Sequence, residues 1–133
     1  MKRLVLAAIA VCLFLSGCST TGTQTPAEIA ANVAVQVKKA CAIAQPTLAS
    51  LQVMQSQLTA DQQADVAKAE TIVTGVCSAT VPAAPQSVAD LVQTAFPLVI
   101  KLIDASSMAA QDKTTAIVAL TAAQIAVSAA LAQ

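Results

Sequence analysis

The chain of 133 residues has no His, no Trp and no Tyr, and only two Phe. Without imidazole it lacks the commonest general base and any Ser–His or Cys–His pair for nucleophilic catalysis. Charge is scarce as well. Asp, Glu, Lys and Arg make up 11% of the chain, at a formal net charge of zero. Beyond Lys2 and Arg3 the only adjacent basic pair is Lys38–Lys39, too little for the electrostatic footprint of a nucleic-acid binder. Gly occurs three times, and no glycine-rich loop of the phosphate-binding kind is present. These absences predict a protein that is not an enzyme, holds no cofactor or metal, and binds no nucleic acid.

What is present begins with a short N-terminal pattern. Lys2 and Arg3 precede an apolar run, Leu4 to Leu15, followed by Ser16-Gly17-Cys18. Two cations, about a dozen apolar residues and a small-residue cut site describe a secretory signal. Leu15-Ser16-Gly17-Cys18 resembles the lipobox of bacterial lipoproteins at all four positions. The resemblance implies that residues 1–17 are removed as a signal peptide and that Cys18 carries a diacylglyceryl thioether. Membrane lipid is then the first partner, met through acylated Cys18. Ser19 stands where Asp would retain many such proteins in the inner membrane. The resemblance therefore implies the outer membrane of the cell envelope, on its periplasmic face.

Residues 18–25 read as a polar, disordered tether, of which Ser19 to Thr25 spans at most about 25 Å. Residues 26–133 read as one all-α domain, a small antiparallel bundle of about four helices in two hairpins. The mature chain is rich in Ala, the best helix former. Thr25-Pro26-Ala27-Glu28 and Thr59-Ala60-Asp61-Gln62 carry the capping-box pattern, and Ser87-Val88-Ala89-Asp90 carries a weaker form. The first helix is expected over Pro26–Gln57, with apolar steps of three and four running through Pro46. Pro46 then kinks one helix; the competing reading breaks it into two near Gln45. Further helices are expected over residues 60–77, 88–105 (through Pro97) and 108–131. A shift of 51 residues superposes Pro46 on Pro97 and Asp61 on Asp112, as an internal duplication would.

Cys12 leaves with the signal and Cys18 carries lipid, so Cys41 and Cys77 are the free thiols of the mature chain. In an oxidising compartment an even pair is normally joined. With Thr59 at the centre of the hairpin turn, each lies 18 residues away, so both sit at one height in an antiparallel pair. A Cys41–Cys77 disulfide is predicted; two buried free thiols are the alternative. Neither has a His neighbour for a zinc site. Asp61 and Asp65 share a helix face, which first-turn charge next to the helix dipole explains without catalysis.

Thr114 to Gln133 has no charge and is long enough to span a bilayer. Its many Ala, Thr and Ser residues favour a helix buried in the bundle over one inserted in lipid. The overall reading is a lipid-anchored, non-enzymatic structural or accessory module that binds an envelope protein or itself. The apolar start of helix 1, around Ile29, Val33 and Val37, is the expected contact region unless it packs on the last two helices. Two alternatives follow from the same residues. One is a membrane-active protein of the phage lysis or exclusion type, inserting its last helix. The other is a carrier of a small apolar ligand lined by Phe96 with Met54 or Met108.

Overall fold

Thr25 opens the first helix by bonding at both ends of its own turn. Its hydroxyl accepts from the Glu28 N–H at 3.3 Å, and its backbone N–H donates to Glu28 Oε2 at 2.8 Å. Pro26 follows in the first helical position, where a missing N–H costs nothing. The computed structural model describes residues 24–80 and 82–133. The predicted signal peptide, Cys18 and most of the tether lie outside the described residues.

Four helices, and no strand, form among the described residues. Helix α1 is Pro26–Val53 and α2 is Ala60–Cys77. Helix α3 is one rod of three consecutive parts, Pro85–Asp90, Leu91–Ala95 and Phe96–Ala105. Helix α4 is Ala110–Leu131. The protein is an all-α helical bundle. Each helix packs on the one before and the one after it, α4 closes on α1, and α2 and α4 touch least, across the diagonal. The short connections return each helix against its predecessor, the up-and-down order of a four-helix bundle.

The core forms where the three-and-four apolar steps of all four helices meet. Val37, Ala40, Ala44, Leu48 and Leu51 of α1 are buried, as are Val66, Ala69, Val73 and Val76 of α2. Leu91, Phe96, Leu102 and Ile103 come from α3, and Leu120 and Val127 from α4. Ala at the contact positions lets the rods approach closely, since helix separation follows the side chains between them. No buried side-chain polar atom among the described residues lacks a hydrogen-bond partner.

Several boundaries differ from those the sequence predicts, each for a local reason. Helix α1 ends at Val53, not Gln57, because Gln55–Gln57 tightens into a 3₁₀ turn that carries Leu58 back into the core. Gln63 Nε2 donates to the Gln55 and Leu58 carbonyls at 3.1 and 3.0 Å, sharing the first with the Leu58 N–H. Pro46 lies inside α1 without ending it. Helix α3 starts at Pro85, not Val88: proline takes the first helical position after Ala84, and the Ser87–Asp90 box does not form. Helix α4 starts at Ala110, not 108. The serines before it are engaged elsewhere, Ser106 Oγ donating to the Ile103 carbonyl of α3 at 2.7 Å and Ser107 Oγ to Gln57 Oε1 in the α1–α2 turn.

The two prolines that a duplication would superpose are accommodated differently. Around Pro46 the α-helix continues, and Thr47 Oγ1 adds a bond to the Ile43 carbonyl at 2.8 Å. Before Pro97 the chain widens into one π turn, Leu91–Ala95, in which the Phe96 N–H bonds the Leu91 carbonyl.

Helix α4 is less covered than a bundle-core helix. One face, Leu120, Ala123, Val127 and Ala130, is buried. On another, Val118 and Ile125 are 62% and 63% exposed. It is long and apolar enough to cross a membrane, with a mean hydropathy of 1.7 over a window of which 22% is buried. The expectation of a helix enclosed by its neighbours holds for one face only.

Candidate functional site

The chemistry of the site starts from what α1 presents before it enters the core. Over its first four turns, residues at steps of three and four are apolar, yet α2 is too short to reach them. Helix α2 stops at Cys77, and residues 78–80 and 82–84 lie across this end between α2 and α3. The result is an open apolar groove of about 920 Å³. One wall is α1, from Pro26 through Ile29, Val33 and Val37. The opposite wall is the returning connection, including Thr80, Pro82 and Ala83, with Val88 of α3 below it. Leu131 closes the side at the tip of α4.

Cys41 and Cys77 form the floor. They are joined as a disulfide, with Cα atoms 5.7 Å apart across the α1–α2 seam. That separation lies within the range the bond demands, and is shorter than the usual distance between helix axes because both residues face the seam. The bridge fixes the end of α2 to the middle of α1, so the groove has one rigid corner.

Among the described residues the lining carries little polarity: Lys38 is its one charged side chain, and Thr80 its one hydroxyl. Among the described residues the one ion pair is Lys101–Asp65, at 3.4 Å between α3 and α2, so Lys38 has none. Asp65 thus braces the bundle, and Asp61 sits in the first turn of α2. No group of three His, Cys, Asp or Glu able to hold a metal occurs among the described residues. At the exposed N-terminus of α1, the Thr25 backbone N–H and then its hydroxyl hold the Glu28 carboxyl below the usual range.

The sequence-predicted residues fall in three places. Cys41 and Cys77 meet. Ile29, Val33 and Val37 line the groove, while α1 also packs along α4. Phe96 is instead fully enclosed in the core, and Met54 and Met108 lie half-buried against it, so none of the three lines the groove. Cys18 lies outside the described residues. The sequence reading does not expect the connection to form a wall; Pro82 within it and Pro85 just after it, before which Ala84 is extended, are the one signal in sequence. No family model matches the chain, nor does any curated protein or solved structure.

Proposed function

We propose that the chain is a lipoprotein of the bacterial envelope, anchored through acylated Cys18, whose bundle is a non-enzymatic accessory binding module on the periplasmic face of the outer membrane. The observation that supports this reading is the Cys41–Cys77 disulfide. Such bonds persist in oxidising compartments, and the lipobox-like N-terminus is an export signal to one. The groove supplies the binding surface, at the end of the bundle that the tether enters through Thr25. Labelled palmitate enters the wild-type protein and not Cys18→Ala, and globomycin causes an uncut precursor to accumulate. Label retained in Cys18→Ala overturns the anchor, and recovery with inner-membrane markers overturns the sorting.

The exposed face of α4 favours a second reading, a membrane-active protein. Thr115, Val118, Ala122, Ile125 and Ala129 are all exposed, at alternating steps of three and four. At about 33 Å the helix matches the hydrocarbon core of a bilayer, roughly 30 Å. Self-association through this strip alone buries about 350 Å² per copy, against the roughly 800 Å² typical of stable partners. Alkaline carbonate extraction of the chain from Ser19 onward, exported behind a signal that is removed completely, separates the readings: release fits the accessory module, and retention fits insertion of α4.

A further inference from the structure

The geometry points to a long-chain fatty acid as the occupant of the groove, its alkyl chain lying along α1 and its carboxylate at Lys38. The proposal rests on the anchored-module reading only for a nearby membrane as the source of the ligand.

Three observations define the occupant. The first is shape. Along α1 the lining runs from Pro26 to Cys41, about 22 Å of helix. One leaflet of a bilayer gives its acyl chains roughly 15 Å, so a chain at the length it has in a membrane fits along α1. The volume of about 920 Å³ lies near the upper end of single-ligand sites, which run to about 1,000 Å³.

The second observation is polarity. A peptide or a partner loop laid in this groove brings an N–H and a C=O at nearly every residue. The lining side chains offer Thr80 and Lys38 as partners and otherwise only hydrocarbon and disulfide sulfur. The non-helical wall at 79, 80 and 82–84 adds a few backbone groups, but the helical wall of α1 offers none, so most of a peptide's buried backbone groups would go unmet, at a cost an alkyl chain does not incur. The third is charge. Lys38 lies some 18 Å along α1 from Pro26, is exposed, and has no ion-pair partner among the described residues. No acidic side chain lines the groove to repel an anion. One cation at one end of an apolar trough matches one carboxylate at the end of one chain.

The test uses the full chain in membranes isolated from expressing cells. A diazirine-bearing palmitate analogue is added after isolation, so that it does not enter the protein as covalent lipid. After irradiation, peptide mass spectrometry maps the adducts. The expected result is enrichment on peptides covering 26–41 and 76–88, with oleate competing at least tenfold better than methyl oleate. Ala34→Trp and Ala83→Phe, on opposite walls, each reduce those adducts at least tenfold while keeping the Cys41–Cys77 bond. Lys38→Gln abolishes the preference for oleate over its ester. Adducts spread along the outer face of α4, or groove adducts unchanged in both filled variants, overturn the proposal. Mapping is repeated on Cys18→Ala in whichever fraction holds it. Groove adducts with failed anchoring leave the fatty-acid site standing, and their loss with anchoring intact overturns that site alone.

Discussion

Gln124 of α4 donates its side-chain N–H to the backbone carbonyl of Val92 at 2.9 Å. In an unbroken α-helix that carbonyl would accept from the Phe96 N–H, which here bonds Leu91 instead. The π turn before Pro97 thus frees an acceptor, and a glutamine on the neighbouring helix takes it. Wide turns of this kind relieve the clash between a proline ring and the preceding turn, and the orphaned carbonyl must then find a donor.

Gln124→Leu leaves the Val92 carbonyl unpartnered in a half-buried position. A loss of about 1–3 kcal/mol is expected from urea unfolding. Combined with Pro97→Ala, which allows α3 to close into regular helix, the Gln124 substitution costs less. A coupling energy of at least about 0.5 kcal/mol in the double-mutant cycle is the expected outcome, and additivity contradicts the account.

Pro46→Ala should raise stability by about 1–3 kcal/mol, because Pro46 is exposed and the α-helix already continues on both sides. Pro97→Ala alone should gain less, since Phe96 and the Gln124 bond are packed around the π turn it would remove. Thermal melts of the two single variants compare them directly.

Replacing Cys41 and Cys77 together by Ala opens a loop of 36 residues. The chain-entropy relation gives a loss of about 3–4 kcal/mol. Urea unfolding of the double variant measures it. Non-reducing mass spectrometry of the wild type should find no alkylatable thiol at either position.

The Glu28 carboxyl is held below its ordinary range by Thr25. A lowered folded-state pKa means that the cap stabilises above the ordinary Glu range, near 4.3, and that the contribution is lost as pH falls through the lowered value. Below that point the Thr25–Glu28 turn should fray, seen as faster amide exchange at residues 25–29. Glu28→Gln keeps the capping geometry and should remove the pH dependence.

The helices were legible because their signals are short-range. Thr25–Glu28 and Thr59–Gln62 close their boxes within four residues, and the equal spacing of Cys41 and Cys77 from Thr59 states the register of the first hairpin. The π turn was not legible, since Pro46 and Pro97 look alike in sequence and differ only in what packs beside them. Nor were the starts of α3 and α4. Pro85 outcompetes Ser87 for the first turn, and Ser106 and Ser107 are recruited backwards by α3 and the α1–α2 turn. The face that α4 leaves open was hidden by composition. Leu120 and Val127 go in, Val118 and Ile125 stay out, and all four are apolar, so no polar side marks solvent. The groove depends on the path of residues 78–80 and 82–84, which no periodicity encodes.

The disulfide also decides how the molecule bears tension. A pull applied to the N-terminal end of α1 and opposed at α4 travels along α1 only as far as Cys41, then crosses the bridge to Cys77. The chain between them, a sequence separation of 36, is a covalently closed bypass that carries no load. Roughly 120 Å of extended chain is thereby withheld from any stretching of the polypeptide. The lower half of α1, its turn and nearly all of α2 lie inside that bypass, so they stay off the load path until the bridge is reduced.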